Sequence, residues 1–202
     1  MSNEAARIPD IYDRHAETWD RERSRNLVER VWLDRFLSLV RLGGAVLDVG
    51  CGSGEPIGRY LMDAGHLVVG VDASPNMIAI CRQRFPAGDW RVADMRALNL
   101  GQVFDGIVAW DSFFHLSRDD QRQVLPLLAR HAAPSAALLF TSGPADGVAT
   151  GSYHGEPLHH ASLDPQEYRT LLVQNQFEVV AHTTQDAHCG GHTVWLCRKI
   201  DA

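Results

Sequence analysis

The residues best suited to chemistry are carboxylates and glycines that follow short apolar runs. One such run ends at Asp48, and Gly50, Gly52 and Gly54 then follow at alternate positions. Glycine permits a tight turn there and lets main-chain N–H groups approach a ligand that a Cβ would hold away. The spacing departs from the Gly-x-Gly-x-x-Gly that binds a dinucleotide pyrophosphate, and an acidic residue, Glu55, comes next. We therefore expect a ligand without a diphosphate, or else a plain tight turn.

Carboxylates also follow the next apolar runs. Leu67–Val71 leads into Asp72, one strand–helix–strand unit after Asp48. An acidic residue at this distance commonly binds the ribose hydroxyls of a nucleoside in doubly wound folds. Because ligands in such sheets bind at the carboxyl ends of the strands, these motifs should share one site. Two later runs end in the same way, at Asp94-Met95 and at Asp111.

The chain around these motifs alternates between strand and helix patterns. This alternation favours an α/β fold with a mainly parallel sheet that helices cover on both faces. Asp186–Gly191 is too short for a parallel crossover, so the last two strands should pair antiparallel. Pro126 should kink or divide its helix. Strands are predicted at 45–49, 66–71, 89–93, 104–110, 136–141, 177–184 and 192–199, and helices at 4–22, 26–41, 55–64, 75–84, 118–131 and 165–174.

In their order and spacing, the segments 47–54, 68–77, 92–95 and 104–116 resemble the class I S-adenosylmethionine-dependent methyltransferases. The resemblance extends over residues 45–200. It implies a doubly wound, seven-stranded sheet of order 3-2-1-4-5-7-6, with strand 7 antiparallel, in a single domain over 1–202. We expect N-terminal helices or a lid over 1–42, a cofactor-binding core over 45–141, a substrate-facing loop over 142–163, and a C-terminal helix and β-hairpin over 164–200.

The resemblance also implies that S-adenosylmethionine is the cofactor and assigns residues to it. Asp72 would bind the ribose hydroxyls, Asp94 and Met95 would hold the adenine, and the main chain at Gly50 and Gly52 would flank the methionine part. The predicted cofactor site is completed by Tyr12, Asp48, Cys51, Ala73, Met77 and Trp110. Tyr12 and Trp19 would either cover the cofactor's sulfonium with their aromatic faces or only anchor the first helix.

Methyl transfer requires an aligned acceptor and, for some acceptors, removal of a proton. His115 follows the fourth strand, and an imidazole titrates in the range that suits a general base. A histidine packed in the loop is the alternative. Asp111 would orient a substrate amine or hydroxyl, or would cap its loop. Within the long connection 142–163, Tyr153, His154 and Glu156 are the predicted substrate contacts, and a variable surface excursion without a ligand is the alternative.

The charge of the chain argues against a nucleic-acid substrate. Nineteen basic against twenty-five acidic residues give a net charge of −6, and Lys199 is the only lysine. A protein that binds nucleic acid usually carries a basic surface that neutralises phosphates. The N-terminus lacks the apolar core of a signal peptide, and no apolar run is long enough to span a membrane.

The cysteines and histidines show no spacing typical of disulfide or metal frameworks. Four cysteines at irregular intervals predict reduced thiols in a cytosolic protein. The segment His188–His192 contains three possible zinc ligands, but its Gly-Gly is explained more simply as a hairpin turn. We therefore predict no metal site.

The first hypothesis is a cytosolic methyltransferase that acts on a small molecule. One alternative is a methyltransferase for a protein or tRNA side group, which would need an open groove. A second is a non-catalytic S-adenosylmethionine-binding partner or sensor, which would lack a base and an acceptor cavity. A nicotinamide oxidoreductase is a third, and Glu55 and the glycine spacing argue against it. The sequence specifies neither the acceptor atom nor the oligomeric state.

Overall fold

A seven-stranded sheet forms the centre of the protein in a computed structural model that describes residues 4–200. The strand order is β3-β2-β1-β4-β5-β9-β8, which confirms the predicted order once an additional two-stranded hairpin, β6–β7, is counted. The pairs among β1 to β5 are parallel, and β9 is antiparallel to both β5 and β8. The strands are β1 Ala45–Val49, β2 Leu67–Asp72, β3 Asp89–Val92, β4 Phe104–Ala109, β5 Ala132–Ser142, β6 Gly147–Tyr153, β7 Glu156–Ser162, β8 Phe177–Asp186 and β9 His192–Lys199.

Helices cover both faces of the sheet because its central strands are apolar on both sides. In β1, Val46 packs with Trp32 and Phe36 on one face, whereas Leu47 and Val49 belong to the core on the other face. The helices are α1 Glu4–Arg14, α2 Ala16–Glu22, α3 Arg30–Leu37, α4 Ile57–Asp63, α5 Pro75–Arg84, α6 Arg118–His131 and α7 Pro165–Gln174. None of them, within residues 4–200, is long and apolar enough to cross a lipid bilayer.

The N-terminal helices differ from the prediction. The single helix expected over 4–22 is two helices, because His15 leaves the helical conformation (φ −104°, ψ 13°) and redirects the chain. The helix expected over 26–41 is only Arg30–Leu37. Val28 and Val31 remain exposed, so the apolar residues at the start of that segment do not form a buried stripe.

The segment 142–163 is also different from the predicted loop. It contains the antiparallel hairpin of β6 and β7, closed by His154 and Gly155 with φ of 48° and 82°. Two successive positive φ angles are typical of tight two-residue hairpin turns. Most of β6 is exposed, so it lacks the alternation of apolar and polar residues that identifies a strand in a sequence.

Pro126 does not divide its helix. α6 runs without interruption from Arg118 to His131, and Val124, Leu125 and Leu128 are buried against the sheet. A proline removes one helical hydrogen bond. Burial of these apolar neighbours offsets that loss, since each fully buried side chain contributes about 1.5–3 kcal/mol.

A buried hydrogen-bond network connects α6, α7 and the hairpin. The Tyr168 hydroxyl donates to Gln121 Oε1 (2.5 Å) and accepts from the main-chain N–H of Leu163 (3.2 Å). Gln121 Nε2 donates in turn to the carbonyls of Leu116 (3.1 Å) and Ala161 (2.8 Å). The network thus fixes β7 relative to the loop that follows β4.

Replacing Tyr168 with phenylalanine should lower the free energy of unfolding by about 1–3 kcal/mol, because the variant leaves buried polar groups of Gln121 and Leu163 without this partner. Urea titration followed by circular dichroism measures the change. Tyr60→Phe is the matched control: its hydroxyl donates to Asp34 at the surface, where water replaces the lost partner. Equal losses in the two variants would contradict a stabilising role for the network.

Candidate active site

A deep cleft opens at the carboxyl ends of β1, β2 and β4, beneath α1 and α2. It contains about 1040 Å³ of space between protein atoms, including the part open to solvent. The predicted residues that line it are Tyr12, Asp48, Gly50, Cys51, Gly52, Asp72, Ala73, Met77, Asp94, Met95, Trp110, Asp111 and His115.

The glycine loop after β1 has the backbone that its sequence requires. Gly50 and Gly52 adopt φ of 73° and 53°, in the left-handed region that favours glycine. A Cβ on Gly50 would lie 2.3 Å from Cβ of Ser112, so glycine allows the loop after β4 to approach β1. A Cβ on Gly52 would meet no atom closer than 3.7 Å. The space beside Gly52 therefore suits a ligand that lies against bare backbone.

Asp72 connects the glycine loop to the start of α5. Its Oδ2 accepts a hydrogen bond from Gly52 N (2.9 Å), and its Oδ1 accepts one from Ser74 N (2.8 Å). Burial raises the pKa of Asp72, and the two N–H donors oppose that shift. A carboxylate has about four lone-pair sites, so two remain for the hydroxyls of a ribose. The predicted ribose role fits this geometry.

Asp48 is a buried carboxylate directly behind the loop. Burial, and then the nearby charge of Asp72, raise the pKa of Asp48 to about 7. A positively charged ligand would favour the ionised form of both carboxylates. A bare glycine backbone, two carboxylates and aromatic side chains together suit the cationic S-adenosylmethionine that the resemblance implies.

Asp94 and Met95 lie at the end of β3, at the rim of the cleft. The Asp94 carboxylate accepts hydrogen bonds from the Arg96 side chain (2.5–3.0 Å) and from the Arg96 main-chain N–H (2.8 Å). Arg96 also lines the cleft and is not among the residues predicted for it. Arg96 lies two residues after Asp94 in a single helical turn, Met95–Ala97, and this spacing is the sequence feature that could have predicted its place in the cleft. The adenine contacts of Asp94 and Met95 stay predictions.

Tyr12, Asp111, Ser112 and His115 line a part of the cleft that we call the acceptor end. His115 Nδ1 lies 2.9 Å from the His159 carbonyl, which can only accept, so Nδ1 carries the proton. His115 Nε2 then accepts a hydrogen bond from the Tyr12 hydroxyl (2.9 Å). Burial lowers the pKa of His115 to about 4. The ring is neutral at physiological pH with both nitrogens engaged, which leaves its predicted role as general base without a free lone pair.

Asp111 belongs to a cluster of charged residues that the sequence did not reveal. His192 Nε2 lies 2.9 Å from Asp111 Oδ1, and Arg23 Nη2 lies 3.8 Å from Asp111 Oδ2. Arg23 also pairs with Glu29 (3.3 Å), a carboxylate with no solvent exposure. Burial raises the pKa of Glu29, and the interaction with Asp111 raises the pKa of His192. No local sequence pattern predicts this cluster, because Arg23, Glu29 and His192 lie far from Asp111 along the chain.

The three predicted substrate contacts in the hairpin are not among the residues that line the cleft, and their contact with a substrate stays a prediction. The hairpin turn is directed at α1 and α2 instead. Tyr153 stacks on Tyr12 at 6.4 Å between ring centroids and donates to Glu22 (3.0 Å). His154 lies 3.2 Å from Glu22, and Glu156 pairs with Arg14 and His15. The hairpin therefore holds the helices that roof the cleft.

Two further contacts fix the roof to α5. Asp13 accepts hydrogen bonds from the Ser74 hydroxyl (2.7 Å) and the Asn76 main-chain N–H (2.9 Å). Asp20 pairs with Arg84 at 2.5 Å, and this contact lowers the pKa of Asp20. Tyr12 and Trp19 both reach the cleft, with their rings 5.2 Å apart.

No cluster of three or more His, Cys, Asp or Glu side chains suited to a metal occurs between residues 4 and 200. In the segment His188–His192, Gly190 and Gly191 have φ of 61° and 77° and form the turn before β9. The Cys189 carbonyl accepts from His192 Nδ1 (2.6 Å), which leaves Nε2 directed at Asp111.

The chain is similar to known methyltransferases. A family model described as a methyltransferase domain matches residues 46–135. The dTDP-4-amino-2,3,4,6-tetradeoxy-D-glucose N,N-dimethyltransferase of Saccharopolyspora spinosa is 32% identical over 168 residues, which are 71% of this chain and 67% of that protein. The magnesium-protoporphyrin O-methyltransferase of Rhodobacter capsulatus is 36% identical over 107 residues, which are 50% of this chain and 46% of that protein. The match therefore spans about half the length of the second relative.

A solved structure has the same fold. It is the Burkholderia thailandensis 1,6-didemethyltoxoflavin-N1-methyltransferase with bound 1,6-didemethyltoxoflavin and S-adenosylhomocysteine. The TM-score is 0.71 at 20% sequence identity, and the superposition covers 98% of this chain and 87% of that one.

Asp72→Ala should weaken S-adenosylmethionine binding by about tenfold or more, since a hydrogen bond to a charged group contributes about 1.5–3 kcal/mol. Isothermal titration calorimetry measures the affinity. Asp89→Ala is the matched control, because Asp89 is an exposed carboxylate at the start of β3, paired with Arg91 and outside the cleft. Unchanged affinity in Asp72→Ala would refute the ribose assignment.

The affinity for S-adenosylmethionine should rise with pH up to about 7, the pKa of Asp48, and then level off. Below that pH the proton must leave Asp48 before the carboxylate can attract a cation, which costs up to about 1.4 kcal/mol for each pH unit. Calorimetry between pH 5.5 and 8.5 is the measurement, at values chosen to lie on both sides of about 7. An Asp48→Asn variant should lose this dependence, and an identical slope in it would exclude Asp48 as the cause.

Proposed function

The chain belongs to the class I S-adenosylmethionine-dependent methyltransferases, and we propose that its methyl acceptor is a small molecule. The observation that carries this proposal is the roofed cleft. α1, α2 and the hairpin turn cover the acceptor end, and Asp13, Asp20 and Glu156 attach this cover by hydrogen bonds and ion pairs. A macromolecular side group would need an open groove at the same place.

The chemistry of the relatives supports a small acceptor. The Saccharopolyspora protein is an N,N-dimethyltransferase for a dTDP-linked amino sugar, and the Rhodobacter protein methylates magnesium protoporphyrin. The net charge of −6 supports the exclusion of nucleic acid. The proposal extends to a cytosolic location, which the four free and buried cysteines support.

The residues of the chain perform three tasks in this reaction. Bound S-adenosylmethionine supplies a methyl group activated by a positively charged sulfur. Asp72, Asp48 and the Gly50–Gly52 backbone bind and orient the cofactor. The aromatic rings of Tyr12 and Trp19 exclude water and offer faces that attract a cation. The acceptor end holds the nucleophile, which must lie about 3–3.5 Å from the methyl carbon.

Incubation with S-adenosylmethionine and the small-molecule fraction of a cell extract should produce S-adenosylhomocysteine. Mass spectrometry measures that product, and the protein and RNA fractions of the same extract are the controls. Turnover confined to the protein or RNA fraction would favour the macromolecular alternative. Tight binding of S-adenosylmethionine without turnover in any fraction would favour a sensor or partner protein.

A further inference from the structure

The hydrogen bonds at the acceptor end use the hydroxyl protons of two residues that line the cleft, Tyr12 and Ser112. Tyr12 donates its only proton to His115 Nε2, because His115 Nδ1 already donates to the His159 carbonyl. The Ser112 hydroxyl donates its proton to the Val49 carbonyl (2.7 Å). The oxygens of Tyr12 and Ser112 therefore have no proton to offer and can only accept.

Asp111 adds a carboxylate with free lone pairs. Its Oδ1 lies 2.9 Å from His192 Nε2, as a close ion pair without the alignment of a hydrogen bond. Its Oδ2 is 3.8 Å from Arg23, which is beyond hydrogen-bond distance. The backbone holds the side chain in place: Asp111 adopts φ of 50°, and its N–H donates to Thr141 Oγ1 (3.0 Å). A ligand with N–H groups is the natural partner for such a surface.

We propose that the acceptor is a primary amine, held through its two N–H groups by the Tyr12 oxygen and the Asp111 carboxylate, and that Asp111 accepts its proton. This inference rests on the proposed function and names the substrate class. A hydroxyl has a single proton and would satisfy only one of the two acceptors. A carboxylate has none and would be repelled by Asp111.

Arg23 is the group at this site whose positive charge would suit an anionic acceptor. Its carboxylate partners decide whether that charge is available. Its guanidinium lies between Glu29 (3.3 Å) and Asp111 (3.8 Å). Two carboxylates thus surround one cation, and Glu29 has no access to solvent. Arg23 therefore stabilises the buried Glu29 and offers an anionic substrate no unpaired charge.

The reaction transfers a methyl group to nitrogen and a proton to Asp111. The nitrogen lone pair forms the bond to the methyl carbon, and the carbon–sulfur bond breaks with its electron pair remaining on sulfur. The proton on nitrogen passes to a carboxylate oxygen of Asp111. Asp111 is 27% exposed along its side chain, so the proton can continue to solvent. The products are the methylated amine and a neutral thioether.

His192 acts as a positioning residue for Asp111. Its Nδ1 donates to the Cys189 carbonyl (2.6 Å), which directs Nε2 at the Asp111 carboxylate. At low pH the protonated His192 neutralises Asp111, and as pH rises through the raised pKa of His192 this charge is lost. Activity should therefore rise with pH. The titratable or charged groups that interact with Asp111 are Tyr12, Arg23, Glu29, His115, His160, Cys189 and His192.

The first test identifies the methylated atom. The full chain is incubated with a small-molecule extract and S-adenosylmethionine that is isotopically labelled in its methyl group, and the labelled product is characterised by mass spectrometry and NMR. Label on nitrogen supports the inference. Label on oxygen, sulfur or carbon overturns it and leaves the proposed function intact. No S-adenosylhomocysteine from any fraction contradicts the proposed function, and this inference with it.

The second test separates Asp111 from His115. Asp111→Asn should reduce the rate of S-adenosylhomocysteine formation by about a hundredfold or more, the range for loss of a general base, and should abolish the rise with pH. Its affinity for S-adenosylhomocysteine, measured by calorimetry, should stay unchanged and report a folded cofactor site. Asp146→Asn is the matched control at an exposed carboxylate paired with Arg118. His115→Gln should retain the pH dependence, because glutamine can still accept from Tyr12.

Three results of the variants would overturn the inference. The first is an Asp111→Asn rate equal to wild type, and the second is a His115→Gln variant that alone loses the pH dependence. The third is an unchanged KM in Tyr12→Phe. This variant removes the oxygen that accepts the second N–H of the amine, so it should raise KM for the amine more than it lowers kcat. If Asp111→Asn fails to bind S-adenosylhomocysteine, the position of the label and the Tyr12→Phe kinetics still decide the question.

Discussion

The site depends on one buried carboxylate that connects two parts of the backbone. Asp72 accepts a hydrogen bond from Gly52 in the loop after β1 and another from Ser74 at the start of α5. These two N–H groups would otherwise be unpaired at the end of the sheet, where an unsatisfied buried polar group costs about 1–3 kcal/mol. The same carboxylate keeps lone pairs for a ligand. A single side chain therefore shapes the glycine loop and holds the residue that caps the next helix, Ser74, while two of its lone-pair sites remain for the predicted ligand.

The cover of the cleft is held by different interactions from those that stabilise its floor. The floor consists of apolar strands that are buried on both faces, so the hydrophobic effect stabilises it. The cover is attached mainly through polar pairs, such as Asp20 with Arg84 and Glu156 with His15, and by stacked aromatic rings. Partly exposed ion pairs are individually weak, typically below about 1 kcal/mol. A rigid floor with a more weakly attached cover is suited to binding a cofactor and an acceptor that must enter and leave.

Burial shifts the pKa values of the acidic and basic groups of the cleft in opposite directions, because it favours the neutral form of each. Asp48 keeps its proton to unusually high pH because burial and Asp72 disfavour its charge, whereas burial keeps the His115 ring neutral. Asp111 is partly exposed and faces Arg23 on one side and His192, a cation only when protonated, on the other. His115, in the expected place for a base, thus has its Nε2 engaged by the Tyr12 hydroxyl. The carboxylate next to it is the group with free lone pairs.

The strand order and the cofactor roles of the cleft residues were implied by the resemblance to the methyltransferases. The sequence by itself determined the strands and the residues at their ends, because these are local features and parallel strands bring their carboxyl ends to one edge of a sheet. Asp48, Gly50, Gly52, Asp72 and Asp94 meet at one edge for that reason. The hairpin over β6 and β7, with its exposed strands, and the break at His15 lack such local patterns. Only the tertiary structure decided the roles at the acceptor end. Which atom keeps a free lone pair depends on the contacts of Tyr12 with His115, of His115 with His159 and of Asp111 with His192, and each joins residues far apart in the chain.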